Sequence, residues 1–113
     1  MLLGGGWYGP HRVLREDTVR AMLTNQTGRF PGDDHGLGLA LNQPWYMGPL
    51  ASPLSFGHTG FTGTSLVADP RRHAVLILLT NQVHPDRTWS TKSASRNVVR
   101  RRLAHDLAAE ISA

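Results

Sequence analysis

Cysteine is missing from all 113 residues, which excludes disulfides and thiolate metal ligands and leaves the redox compartment of the protein open. Long apolar runs are missing too, since none approaches the roughly 20 residues that a membrane-spanning helix needs. Residues 1–9, MLLGGGWYG, have neither the basic start nor the apolar length of a secretory signal. The chain as it stands is therefore expected to be cytoplasmic and to have no membrane partner, while a longer parent protein is compatible with export.

Familiar ligand and nucleophile spacings are also absent. The six histidines are nowhere spaced as H-x-H or H-x-x-x-H, so neither a metal nor a cofactor is predicted. Asp33-Asp34-His35 places carboxylates beside an imidazole, but acidic residues in a loop are usually solvated. No serine stands in G-x-S-x-G or ahead of a lysine in S-x-x-K. A serine nucleophile complete within this chain is therefore not predicted.

What the sequence does contain is an excess of arginine. The formal net charge is +4, and one lysine stands among the 12 basic residues. Four arginines crowd one C-terminal segment: Arg96, Arg100, Arg101 and Arg102. A basic patch can bind nucleic acid, but aromatic side chains for base stacking are not interleaved with this one. A solvated helix face is the favoured interpretation, and a small basic nucleic-acid binder is the least favoured alternative.

The N-terminal half predicts one short helix, one strand and one loop. Residues 16–24 carry acidic residues in the first turn and apolar residues at i, i+3 and i+4, which favours a helix. Its apolar face would consist of Val19, Met22 and Leu23. GLGLAL (36–41) is typical of a strand. Residues 42–53 contain three prolines and a glycine and are expected to form a loop, which carries Trp45, Tyr46 and Met47.

The C-terminal half predicts a hairpin followed by a helix. LSFGHT (54–59) and TGTSLVAD (62–69) are typical of strands, and Asp69-Pro70 starts a type I turn into a third strand at 73–81. The apolar run at 74–79 does not alternate, so it is expected to be buried on both faces. Residues 94–111 predict an amphipathic helix with a face of Val99, Leu103, Leu107 and Ile111. The fold class is α+β, a partial fold with an antiparallel sheet covered by a C-terminal helix.

The tripeptide His58-Thr59-Gly60 belongs to a resemblance that runs along nearly the whole chain. It stands where serine β-lactamase-like hydrolases carry Lys-Thr-Gly, their third motif, and many esterase-like members have His there. LLGGGWYGPHRVLREDTVRAM resembles the family segment that ends LLNGG and leads into a helix ending in Met. HGLGLAL resembles its YGLGW strand, and FGHTGFTGTSLVADPRRHAVLILLTNQVHP resembles its final hairpin followed by TNRVHP. This ordered set is similar to the class C β-lactamase, D,D-peptidase and esterase group.

The resemblance implies roles for four residues, and the position of a fifth in the chain suggests another. His58 would face the nucleophile and the second-motif tyrosine as a hydrogen-bond donor or positive partner, and the Phe61 backbone N–H would form half of an oxyanion hole. Thr59 would contact the polar or carboxylate group of a small-molecule acyl substrate. Gly60 would leave room for that substrate. Tyr46, in the loop just before this strand, either lines the pocket of the substrate or anchors the loop on the core. The family's S-x-x-K and Tyr-x-Asn motifs are not found, so residues 1–113 are expected to be a C-terminal part that is inactive alone.

One functional alternative and one expectation about assembly follow. A non-catalytic binding or structural fragment derived from the family would carry the same motif. In that case His58 lies on the surface, and Gly60 and Gly63 merely serve a bulge. The C-terminal helix can cover one face of the 74–79 strand, but the short helix and the loops are all that is left for the second face. The chain is therefore expected to be molten, to self-associate or to bind a complementary N-terminal fragment that brings the serine.

Overall fold

The computed structural model describes residues 1–90 and 93–112. Its helices are α1 at Glu16–Met22, α2 at Pro44–Met47 and α3 at Ser93–Ser112. Its strands are β1 at Trp7–Tyr8, β2 at His11–Arg12, β3 at Ala40–Leu41, β4 at Phe56–Thr59, β5 at Ser65–Asp69 and β6 at Ala74–Leu78. Short 3-10 turns lie at Leu2–Gly4, Gly48–Leu50 and Arg87–Ser90. Among the described helices, none has the length and apolar character needed to cross a membrane.

Strands β3, β4, β5 and β6 form one antiparallel sheet in that order, and β1 pairs with β2 in a separate ribbon. In the large sheet His58 lies opposite Leu66, and Leu66 lies opposite Ile77. Side chains alternate between the two faces of a strand, so these three residues share a face, which we call the open face. Val67 and its partner Leu76 lie on the other, which we call the covered face. The predicted α+β class with an antiparallel sheet and a C-terminal helix is confirmed.

The covered face carries the main core. Tyr46, Met47 and Leu50 are completely buried against it, together with Val67 and Ala104. Complete burial of such side chains contributes roughly 1.5–3 kcal/mol each. The loop predicted at 42–53 is therefore wrong, because the segment forms α2 and a 3-10 turn that place these residues in the core. Proline at the first position of a helix is compatible with this, since the N–H it lacks has no intrahelical partner there.

The open face is covered near one end only, where Leu41, Phe56 and Ala68 pack with Leu2, Leu23 and Leu39. Along β6 and just beyond it, Val75, Ile77 and Leu79 are 46%, 58% and 80% exposed. The prediction that residues 74–79 are buried on both faces is wrong for this chain. Within residues 1–90 and 93–112, no α-helix packs on the open face over these three side chains.

Two other predictions are confirmed in part. The helix predicted at 16–24 exists as α1, with Val19 buried. The strand predicted at 36–41 shrinks to β3, because the Gly36 amide donates to the Leu39 carbonyl and Gly38 adopts a φ of +75°. A tight turn thus takes the place of the first half of the strand.

The C-terminal helix is confirmed, and its packed side is the predicted one only in part, since Leu107 packs against the main core. Arg100 and Ala104 are 6% and 0% exposed, whereas Val99 and Ile111 are 49% and 43% exposed. Ala104 lies against Gly48, and these two small residues let the helix backbone come close to the 3-10 turn after α2. Because close backbone contact helps to select the packed side, the apolar residues at i, i+4 spacing revealed only part of it.

Candidate functional site

His58, Thr59 and Gly60 lie at the end of β4 and the start of the connection to β5. On its other side β4 pairs with β3 at two positions, Phe56 and Gly57. Beyond them, no strand of the described chain pairs with His58 and Thr59 on the β3 side. A strand edge of this kind presents backbone groups that can hydrogen-bond an extended ligand.

The His58 imidazole is exposed, and its Nδ1 lies 2.7 Å from the Thr59 carbonyl oxygen. A carbonyl oxygen can only accept, so Nδ1 carries the proton of this hydrogen bond. The nitrogen that is left for another partner is Nε2, which accepts a hydrogen bond when the ring is neutral and donates one when it is protonated. Nε2 is therefore the ring atom through which His58 can hydrogen-bond a partner.

Residues 60–64, which we call the motif turn, connect β4 to β5. The Gly60 amide donates to the Thr64 carbonyl at 2.8 Å. A Cβ at position 60 would collide with the Thr64 hydroxyl, so a larger residue there requires the Thr64 side chain to move. In contrast, the amide of Phe61 donates to no acceptor in the described parts of the chain. The motif turn thus presents, at Phe61, a backbone N–H for which the described residues supply no acceptor.

A pocket of about 80 Å³ lies at the free edge of β4. It is lined by Asp33, His35, Ala40, Gln43, Trp45, Tyr46, His58 and Thr59. The indole Nε1 of Trp45 donates to the Gln43 Oε1 at 2.8 Å, and the His35 Nδ1 lies 3.2 Å from an Asp33 carboxylate oxygen. The sequence pointed to the Asp33-His35 stretch as carboxylates beside an imidazole, but gave no sign that it faces His58. Nothing in the sequence singled out Gln43.

Tyr46 forms the inner wall of this pocket and is completely buried. Its hydroxyl lies against Gly57 of β4 and makes no hydrogen bond with any described residue. Burial raises the pKa of Tyr46, and the nearby positive charge of Arg100 offsets part of that rise. The predicted contact between Tyr46 and a substrate stays a prediction, and it would be limited to the atoms that reach the pocket surface.

Three other features were candidates for a site: a pair of buried serines, a groove on the open face, and groups of metal-binding side chains. Ser52 and Ser55 are buried and their hydroxyls lie 2.9 Å apart, so these serines hold each other inside the fold. On the open face a shallow groove of about 370 Å³ runs from His58 and Gly60 to Ile77. Within the described residues, no three His, Asp or Glu side chains are grouped so that they could hold a metal ion.

Comparison with known proteins gives a consistent result. The sequence model of the Beta-lactamase family matches residues 1–99. A protein of Escherichia coli (strain K12) named "Putative D-alanyl-D-alanine carboxypeptidase" is 37% identical over 87 residues, which cover 74% of this chain and 19% of that protein. A protein of the same name from Salmonella newport (strain SL254) is 38% identical over 89 residues, covering 74% of this chain and 20% of its own length. The chain therefore spans about one fifth of the length of these relatives.

Proposed function

We propose, from the premise that this chain belongs to the Beta-lactamase family, that it supplies one wall of the active site of a serine hydrolase. In this proposal residues 1–113 are a C-terminal part of the catalytic domain, and the S-x-x-K nucleophile lies on a segment outside them. The chain matches only 19% of the length of the Escherichia coli relative, so the nucleophile can lie in the part of such a protein that this chain does not cover. By itself the chain then binds or positions a substrate but does not form an acyl-enzyme.

The observation that carries the proposal is the combination found at the end of β4. His58 and Thr59 lie on a strand edge without a described partner strand, and they are followed by the Phe61 amide without a described acceptor. An extended acyl substrate can pair with such an edge through its own backbone groups. The reacting carbonyl would then lie near the Phe61 N–H.

The chemistry proposed is acyl transfer to serine. The serine oxygen adds to the carbonyl carbon of the substrate, and the carbonyl oxygen becomes an oxyanion until the leaving group departs. The Phe61 N–H would donate to that oxyanion, a contribution whose loss typically lowers turnover by about 100- to 1,000-fold. The Nε2 of His58 would exchange a proton or a hydrogen bond with the nucleophile side of the site.

The first substrate class we propose is a peptide that ends in D-alanyl-D-alanine, the group in the names of the two relatives. Such a peptide carries a terminal carboxylate, and Thr59, a half-buried residue at the pocket, has a hydroxyl that is a suitable donor to it. Ester and lactam substrates share the acyl carbon and are the other substrates to compare.

A nucleic-acid role receives little support from the arginine-rich helix. Arg96 donates to the Phe61 carbonyl, Arg100 to the Thr64 carbonyl and Arg101 to the Trp45 carbonyl. Three of the four clustered arginines are thus used inside the fold, and the predicted solvated face is wrong for Arg100 in particular. A non-catalytic fragment of the family is the alternative that the experiment below distinguishes.

The test uses a polypeptide that contains this segment together with an S-x-x-K nucleophile. We expect His58→Ala to lower kcat on a D-alanyl-D-alanine peptide by about 100-fold, in the range of general acid–base catalysis. His105→Ala is the matched control, because that imidazole is exposed on α3 and should leave kcat unchanged. Thr59→Ala should act mainly on substrates with a carboxylate. Wild-type turnover in His58→Ala would show that the imidazole lies on the surface without a role.

The isolated chain provides the complementary measurement. After incubation with a fluorescent penicillin or a fluorophosphonate, intact mass should show no covalent label, since a serine without an adjacent base is a weak nucleophile. Stoichiometric labelling of one serine would contradict the proposal that the nucleophile lies outside residues 1–113.

A further inference from the structure

Several carbonyls of the motif turn are held by hydrogen bonds from outside it. The Thr62 carbonyl accepts from the Thr80 hydroxyl at 2.7 Å and from the Gln82 amide at 3.0 Å, both just after β6. The Thr64 carbonyl accepts from the Gly60 amide inside the turn. These contacts leave the Phe61 amide as an unclaimed donor between fixed neighbours.

Helix α3 supplies two further anchors across more than 30 residues of sequence. Arg96 Nη1 donates to the Phe61 carbonyl at 3.1 Å, and Arg100 Nη2 donates to the Thr64 carbonyl at 2.9 Å. Arg100 is buried, and its Nη1 donates to the Asn97 amide oxygen at 2.8 Å. Burial and the neighbouring positive charge of Arg96 lower the pKa of Arg100.

Placing a buried cation beside a second cation is an unfavourable way to join a helix to a sheet. Desolvation and like-charge repulsion both destabilise it, and a pair of apolar side chains would serve packing better. What the two guanidinium groups provide, and apolar groups do not, is a fixed direction for the carbonyls of Phe61 and Thr64. We therefore expect the two arginines to serve mainly to fix the backbone geometry of the motif turn.

We propose that Arg96 and Arg100 are positioning residues that hold the Phe61 N–H in the direction in which it donates to a substrate oxyanion. The inference rests on the proposed function, in which that N–H is an oxyanion donor. On one side of it, the Gly60 amide is held by the Thr64 carbonyl, which Arg100 fixes. On the other side, the Phe61 carbonyl is fixed by Arg96. The carbonyl of the Gly60–Phe61 peptide itself accepts from the Gly63 amide at 3.0 Å, and with both neighbours held as well this planar peptide has little freedom to rotate.

Arginine suits this task better than other side chains. Hydrogen bonds from a charged donor are shorter and stronger than those from a neutral one. The planar guanidinium also bonds two acceptors in a fixed geometry, as Arg100 does with Thr64 and Asn97, and lysine lacks that geometry. Precise placement matters, since a misplacement of about 1 Å at a reacting group can lower a rate by about 100-fold.

The first measurement needs no activity and uses the same polypeptide that carries the S-x-x-K nucleophile. Backbone ¹⁵N relaxation compares the wild type with Arg96→Ala and Arg100→Lys, with Arg102→Ala as the control because its exposed guanidinium pairs with Asp106. In the two test variants we expect the order parameter of the Phe61 amide to fall from about 0.85 to below about 0.6. In Arg100→Lys the Gly60 amide should also exchange about tenfold faster. An unchanged Phe61 amide in both variants overturns the inference.

The second measurement separates positioning from a merely structural clamp. In the polypeptide that carries the S-x-x-K nucleophile, Arg96→Ala should lower kcat by about 10- to 100-fold with little change in KM. Arg96→Lys should restore part of kcat, and Arg102→Ala should leave it unchanged. Loss of order at Phe61 with unchanged kcat means that the arginines only fasten α3 to the sheet, which overturns the inference.

The inference and the proposed function fail separately. If both His58→Ala and Arg96→Ala retain wild-type turnover, the proposed function is wrong and the positioning role falls with it. If His58→Ala loses turnover and Arg96→Ala keeps it, the proposed function stands and this inference alone is overturned. A loss in both variants, with the relaxation change at Phe61, supports the two together.

Discussion

The covered and the open face of the sheet use similar apolar residues and place them in different surroundings. Val67 on the covered face is 2% exposed, whereas Val75 and Ile77 on the open face are 46% and 58% exposed. The difference lies in what packs on each face, because α2 and α3 lie on the first and no described helix lies on this part of the second. Two strands of similar apolar composition can therefore differ in burial, because burial depends on whether other elements, here α2 and α3, pack on their side chains.

The residues of the candidate site come from both faces. His58 lies on the open face beside Leu66 and Thr59 alternates to the other side, and both residues line the pocket walled by Tyr46. The rigid core under Thr59 holds the strand in place, and the open side leaves His58 accessible. A site built at such a boundary combines a fixed scaffold with access for a partner or a substrate.

The largest effect should come from deleting a side chain of the covered face. Leu50→Ala should lower the free energy of unfolding by about 2–5 kcal/mol, because Leu50 is completely buried and its loss leaves a cavity. The matched change on the open face, Ile77→Ala, should cost less than about 1 kcal/mol. Urea unfolding followed by circular dichroism measures both. Equal losses in the two variants would mean that the open face is buried after all.

Alkaline pH should reveal the burial of Tyr46. Because burial raises its pKa above the ordinary value of 10.0, the folded protein keeps the phenol proton while the unfolded chain loses it. Unfolding then releases a proton above pH 10, so stability should fall as pH rises, by up to about 1.4 kcal/mol per pH unit. Urea midpoints at pH 8, 10 and 11 measure this fall.

Two tyrosine variants make the pH experiment specific. Tyr46→Phe removes the titrating phenol and should flatten the fall between pH 10 and pH 11. Tyr8→Phe is the control, since Tyr8 is 72% exposed in the N-terminal ribbon, and the fall should persist. The same slope in wild type and Tyr46→Phe would contradict the assignment to Tyr46.

The open face should make the isolated chain associate. Its exposed residues Ile77 and Leu79 are apolar and lie next to each other at an edge strand without a described partner on its outer side. We expect concentration-dependent self-association in size-exclusion chromatography with light scattering. Ile77→Lys should weaken it by about tenfold, roughly 1.4 kcal/mol. Val13→Lys, at a residue 56% exposed outside the sheet, is the control and should change little.

Association has a clear opposite outcome. A monodisperse monomer at all concentrations with one sharp cooperative thermal transition would show that the second face is covered from within. That result would favour an independent domain and would weaken the proposal that this chain needs a complementary part. Loss of association in Val13→Lys as well would assign the contact to charge rather than to the open face.

Local chemistry made part of the fold predictable from the sequence. The hairpin turn after β5 was found because Asp69 and Pro70 have specific turn roles, and the Asp69 carboxylate indeed accepts from the Arg71 amide at 3.0 Å. The position of His58 and Thr59 at the end of a strand followed from the glycines and the flanking apolar residues. Both features depend on residues close together in the chain.

Contacts between distant segments were not predictable in the same way. Residues 42–53 have the composition of a loop, and their burial results from the later strands and α3 packing on Tyr46 and Leu50. Gln43 and His35 reach the pocket with His58 because β3 and β4 pair, which no local pattern shows. Arg100 was placed on a solvated face because its acceptor, the Thr64 carbonyl, lies 36 residues away.

The smallest effect concerns the side of α3 that packs, where sequence and structure differ. Val99→Ala should change the free energy of unfolding by about 0.5 kcal/mol or less, because Val99 is half exposed and alanine is the better helix former. The sequence-based face would instead make Val99 a core residue, with a loss of about 1–3 kcal/mol. Ala104→Leu is the counterpart, since a larger side chain against Gly48 should overpack the contact and cost about 1–3 kcal/mol. Urea unfolding of both variants decides between the two sides. If Ala104→Leu leaves stability unchanged and Val99→Ala lowers it, α3 packs through its Val99 side. Arg100 would then not reach the Thr64 carbonyl of the motif turn.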